Sequence, residues 1–175
     1  MRKGSVLRGF VSLLAVCSMA MPAFAQGMAE ADKTFIKDAG SGGMMEVQLG
    51  QMAQEKGKMQ EVRDFGKRMV TDHGKANDEL KALASKKGVP WPAKLELKHR
   101  MMVGKFKKVS AEDFDKKYMK AMVKDHTKDV DEFSKATKWL EDPELKAWTA
   151  KTLPVLEQHH KQAKELAQKL GVKVK

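Results

Sequence analysis

The stretch QEVRDFGKRMVTDHGKANDELKALASKKG, residues 60–88, decides the fold. Val62, Phe65, Met69, Ala76, Leu80 and Leu83 recur at spacings of three and four, which places them on one face of an α-helix, and Gly88 stops it. Position 73, in the middle of that apolar face, is a histidine. The segment Met69-Val70-Thr71-Asp72-His73 returns as Met122-Val123-Lys124-Asp125-His126. Around the second copy, Phe114, Tyr118, Met122, Val130, Phe133 and Leu140 form an equivalent stripe, again interrupted by its histidine. The likeness continues through Lys75/Lys128, Asp78/Asp131 and Glu79/Glu132 and suggests a duplicated helical hairpin.

Working outward, the punctuation marks further helices. One is expected from about Lys33 to Lys56, closed by Gly57, and the second from Gln60 to Lys87. Val89-Pro90-Trp91-Pro92 reads as a turn before a short helix near Leu95 to Lys107. Ser110 with Asp113 caps a fourth helix reaching about Glu141. Asp142-Pro143 supplies an N-cap and first-turn proline for a last helix ending at Gly171, with Pro154 expected to kink it. Trp139 and Trp148 flank the second hairpin turn and are expected to plug that end of the core. Four long amphipathic helices, paired as two tight hairpins with a short extra helix in the crossover, make an all-α four-helix bundle.

Composition agrees. The 175 residues carry 34 Lys+Arg against 23 Asp+Glu, a formal charge of +11. One third of the chain is charged and the mean hydropathy is −0.53, which excludes a polytopic membrane protein. Aromatics at 6% and few β-branched residues argue against a β-sandwich or barrel. Arg2, Lys3 and Arg8, an apolar run from Phe10 to Met21 and the small-x-small site Ala23-Phe24-Ala25 read as a cleaved secretory signal. The expected organisation is a signal peptide at 1–25, a flexible mature N-terminus at 26–31, the bundle at 32–171 and a basic tail at 172–175. Cys17 leaves with the signal, so the mature chain offers neither disulfide nor thiolate, and its charge falls by three to +8. A bacterial envelope compartment, periplasmic or at the outer membrane, fits both properties.

The informative anomaly is polar. The first helix carries Phe35, Ala39, Gly42/Gly43, Leu49 and Ala53 on one stripe, interrupted by Glu46. In the last helix the stripe Leu153, Leu156, Ala163 is interrupted by His159 or His160. Burying such groups is costly unless each finds a partner, so four interruptions call for one explanation. Counted from the turn near residue 57, Glu46 lies about 11 residues away and His73 about 16, a mismatch of about 7 Å. Glutamate side chains lean toward the helix N-terminus, which narrows that gap. From the turn near 142, His126 and His159 are about 16 and about 17 residues away, level within a few ångströms.

Glu46, His73, His126 and His159 can therefore meet in one mid-bundle layer. Three imidazoles and a carboxylate suit copper, zinc or iron(II). Met69 and Met122, one turn before the repeated histidines, would favour copper if their thioethers joined the site, although a methionine in a helix stripe is ordinarily core. Asp72 and Asp125 lie about 100° round the helix from their histidines and are placed to support the layer or to pair with surface Lys and Arg. His99, on the short helix, is expected to be solvated. A layer that only fixes helix register through hydrogen bonds explains the same residues without a metal.

Gly42-Gly43-Met44-Met45-Glu46, the two Met-Val-x-Asp-His segments, Phe114-Asp115-Lys116-Lys117-Tyr118, and Thr152-Leu153-Pro154-Val155-Leu156 followed by His159 occur in this order. Together they resemble the large bacterial family of exported proteins with a ferritin-like four-helix domain of unknown function, often labelled predicted outer-membrane proteins. The resemblance covers roughly Thr34 to Leu170 and implies a ferritin-like bundle and an envelope location, with no established activity. Di-iron enzymes of ferritin-like fold use a Glu on two helices and Glu-x-x-His on the other two. Here Val70 and Val123 stand three before His73 and His126, and only Glu157-x-x-His160 keeps the spacing. A di-iron oxidase is therefore disfavoured.

No phosphate-cradling glycine loop opens a helix, since Gly40-Ser41-Gly42-Gly43 lies inside a helical pattern, and no Gly-x-Ser-x-Gly elbow is present. The sequence carries no catalytic motif. Its positive charge is mostly lysine without interleaved aromatics, which argues against nucleic acid. Lys161, Lys164, Lys169, Lys173 and Lys175 form the densest cluster and suit an anionic envelope surface or an envelope protein. Two readings follow: an envelope bundle binding one metal ion in the Glu/His layer, or a structural or interaction module without metal.

Overall fold

A computed structural model describes residues 27–173. The signal reading, with Cys17, and the last two residues of the basic tail lie outside them. Within the described residues the chain is five helices without a strand: α1 (Glu30–Lys56), α2 (Gln60–Lys86), α3 (Leu97–Lys107), α4 (Ala111–Trp139) and α5 (Pro143–Lys169). No described helix is long and apolar enough to cross a membrane.

The helix ends follow local chemistry. Ser110 Oγ accepts from the backbone N–H of Asp113, and Asp142 Oδ1 accepts from those of Glu144 and Leu145, capping α4 and α5 as their sequences require. Gly88 and Gly171 adopt φ of 67° and 69°, the left-handed conformation that ends a helix without strain. Behind them, Val89 and Val172 donate to the carbonyls of Ala84 and Ala167, both at 2.8 Å. Val172, the first residue of the expected basic tail, is thus tied to α5. At the other terminus α1 begins at Glu30, inside the segment expected to be flexible, because Glu30 and Asp32 place negative charge on its first turn. Pro154 lies inside α5, which runs on without a break.

Two buried carboxylates fix the topology. Asp115, at the start of α4, accepts from Lys58 N (3.0 Å) and Met59 N (2.8 Å) in the α1–α2 turn. Asp32, at the start of α1, accepts from Asp142 N (2.7 Å) in the α4–α5 turn. The start of α4 therefore lies at the opposite end of the bundle from the start of α1. The connection carrying α3 runs the length of the molecule, packed along α1. It follows that α2 and α4 run parallel, which is why their repeated segments bring His73 and His126 to one height. The repeat itself is not a hairpin duplication, since copying one hairpin would superpose α2 on α5.

The core is divided. One apolar cluster, including Leu49, Phe65, Met69, Phe106, Tyr118, Met122 and Leu166, fills the end near the α1–α2 turn. A second, including Phe35, Ile36, Leu80, Phe133, Leu145, Trp148 and Leu156, fills the other. Trp148 plugs that second end as expected. Trp139 does not: it is 44% exposed and meets Phe35 edge-on at 5.9 Å. Between α1 and α2 the backbones nearly touch, because a Cβ on Gly66 would fall 2.6 Å from Ala53 Cβ and 2.7 Å from Gly50 O.

Candidate metal centre

The polar layer lies between the two apolar clusters. α2, α4 and α5 deliver His73, His126 and His159, which are 7%, 0% and 0% exposed. Their ring centroids form a near-equilateral triangle of 5.3, 5.4 and 5.7 Å. One nitrogen from each ring lies within 4.8 Å of the others.

The outward nitrogens of His126 and His159 are partnered. His126 Nδ1 is 3.0 Å from the carbonyl of Met122, and His159 Nε2 is 2.8 Å from Asp72 Oδ2. Neither a carbonyl nor a carboxylate can donate, so each ring spends its N–H outward. The remaining nitrogens, His126 Nε2 and His159 Nδ1, keep lone pairs, and with His73 Nε2 they are buried without a hydrogen-bond partner. An outward N–H on a carbonyl or carboxylate with an unprotonated nitrogen inward is how metal-ligating histidines are held.

The electrostatics favour neutral rings. Burial, then the neighbouring imidazoles His126 and His159, pushes His73 well below the ordinary histidine pKa. Burial, then His159, takes His126 down to about 3. Burial also lowers His159, opposed by Asp72. A metal at this point would meet little competition from protons near neutral pH. Ligation at roughly 2.0–2.1 Å with tetrahedral angles sets the nitrogens about 3.3 Å apart, so the rings have about 1.5 Å or less to close.

Glu46 reaches the layer from α1 but belongs to a different group. Its Oε1 is 3.9 Å from His126 Nδ1, and Glu46, His126 and Asp129 bring one ligand atom each within 4.8 Å. Glu46 is 2% exposed and neither of its oxygens has a hydrogen-bond partner. Burial, then the carboxylates of Asp125 and Asp129, raises its pKa well above the ordinary glutamate value. Asp129 is likewise pushed well up by burial and by Asp125 and Glu132.

The other expected residues fall as follows. His159, not His160, faces the core; His160 bonds the Thr127 hydroxyl at the surface. Asp72 orients His159 while also pairing with Arg68 Nε at 3.2 Å. Asp125 lines the cavity beside Glu46 and makes no bond to His126. Met69 and Met122 are core residues, whereas Met45 and Met102 reach the cavity.

His99 is a correction. It is half-buried rather than fully solvated and lines the same cavity, its Nδ1 2.7 Å from Ser41 Oγ, because the crossover lays α3 against α1. Asp129 was discernible as the residue three after His126, on the same helical face. No local signal brings His99 to the site.

This arrangement sits on a chain whose family is now evident. The chain belongs to the family described as a domain of unknown function, DUF4142. The family pattern spans residues 17–166. No curated protein matches the sequence. Among solved structures, a DUF305 fragment from Deinococcus radiodurans aligns with a TM-score of 0.71 at 12% identity, covering 82% of this chain and 99% of that one. CopM in its Cu(II)-bound form aligns with a TM-score of 0.67 at 19% identity, covering 79% and 97%. Its Cu(I)-bound form aligns with a TM-score of 0.67 at 18% identity, covering 79% and 96%. These likenesses establish a shared helical fold for this DUF4142 chain.

Proposed function

We propose that this DUF4142 protein is an exported, periplasmic, ferritin-like bundle that binds one transition-metal ion at His73, His126 and His159. The observation that carries the reading is the trio of buried inward nitrogens, two of them with tautomers fixed by outward partners. An apolar or fully hydrogen-bonded layer would hold helix register without leaving three such atoms orphaned. The ferritin-like description rests on two hairpins joined by a full-length crossover. The export reading rests on the Arg2/Lys3/Arg8 and Ala23-Phe24-Ala25 pattern.

Copper is the leading ion. Imidazole suits copper, zinc and iron, the chain lacks thiolates once the signal is removed, and a protein of the same fold is copper-bound in two oxidation states. The ion would take its three ligands from the imidazoles, and the role is binding rather than catalysis. Titration of the metal-free protein with Cu(II) against a competing chelator tests this. One equivalent should bind to the wild type, and His73→Ala and His159→Ala should each weaken affinity by a hundredfold or more. Equal binding by the wild type and both variants would refute the site.

A further inference from the structure

One cavity of about 200 Å³ touches the layer, reaching His73 and Glu46 from the face where α3 lies against α1. Asp38, Asp125, Asp129, Glu132 and His99 also line it. Gathering these carboxylates around one cavity is unfavourable unless protons or cations neutralise them. Only two lysines, Lys98 and Lys128, reach the lining, and Lys98 is committed to Asp38 at 2.7 Å.

We propose that Glu46 and Asp129 form an outer cation position beside His126, through which the metal passes from this cavity to the three imidazoles. The inference rests on the metal-binding reading above and adds how the ion arrives. The pointer to a ligand is Glu46, which is 2% exposed, lines the cavity and has two unpartnered oxygens. His126 lies in both ligand groups, so an ion held by the two carboxylates is already beside one member of the triad. Oxygen donors exchange water and ligands readily and hold soft ions less tightly than imidazole does, which suits a place of transit.

A group on the route speeds arrival and departure by the same factor and leaves affinity unchanged, whereas a ligand of the final site changes affinity. Stopped-flow quenching of tryptophan by Cu(II) separates the two, because Trp148 lines the cavity and reports the ion's arrival. Glu46→Gln and Asp129→Asn should slow both loading and chelator-driven release about tenfold, leaving one ion bound and affinity within about threefold. Asp131→Asn on the same helix, whose carboxylate pairs with Lys135 at the surface, should load at the wild-type rate. Circular dichroism melts confirm that each variant is folded.

If the wild type takes up one ion and both cavity variants load at its rate, the route is wrong and the triad stands. If the variants lose affinity through faster release, the carboxylates are ligands of the final site, which also overturns the route. A wild type that takes up no copper refutes the metal-binding reading itself.

Discussion

Replacing His126 by leucine should leave the metal-free protein at least as stable at neutral pH and make it more stable than the wild type in acid. The Nε2 of His126 is buried without a partner, and its Nδ1 bonds a carbonyl, that of Met122, lying within the continuous helix α4. Leucine removes the orphaned nitrogen, so the variant should match the wild type or exceed it by up to about 2 kcal/mol at about pH 7. The pH dependence is sharper. Folded His126 protonates only at about 3, while the same histidine in the unfolded chain protonates near its ordinary value. The unfolded state therefore binds more protons across this window. The stability His126 contributes is fully present above about pH 6.5 and is lost as pH falls toward about 3. At up to about 1.36 kcal/mol per unit, the wild type should lose about 2 kcal/mol relative to His126→Leu between about pH 7 and pH 5. Urea unfolding of both proteins with chelator present, at the two pH values, measures this difference. A variant less stable at both values, by an amount independent of pH, would refute the reasoning and mark the layer as structural.

Four further outcomes are expected. Gly66→Ala should destabilise the protein by about 1–3 kcal/mol, because the new methyl group meets Ala53 Cβ and Gly50 O, neither of which can swing away. Gly74→Ala on the same helix meets nothing within 4 Å and should stabilise by up to about 1 kcal/mol, both read by thermal or urea unfolding. Asp115→Ala should cost about 2 kcal/mol or more by leaving Lys58 N and Met59 N without their acceptor, a loss visible in denaturant midpoints at neutral pH. Asp72→Asn, which changes the group orienting His159 without touching the triad, should weaken Cu(II) affinity about 10–100-fold in chelator competition while the stoichiometry stays at one.

Much of this was written in the sequence because helices report their faces and ends locally. The spacing of Val62, Phe65, Met69 and Leu80 gave α2 its buried face, and Ser110, Asp142, Gly88 and Gly171 marked where helices begin and stop. The level of His126 and His159 followed from counting residues to their shared hairpin turn, since rise per residue is nearly constant, whereas His73 joins them because α2 and α4 run parallel. What depended on the path of the crossover was not legible. His99 reaches the cavity only because α3 lies along α1, and Glu46 falls in with Asp129 rather than inside the imidazole triangle because of how α1 meets α4. The reciprocal caps from Asp32 and Asp115 also join parts far apart in the chain, where no periodicity speaks.

The central claim is most directly tested by elemental analysis of the untagged protein, paired with thermal melts with and without chelator. The account predicts about one copper ion per chain and a melt that falls by about 5–10 °C when chelator removes it. A metal-free protein whose melt is indifferent to added copper, zinc and iron would contradict it.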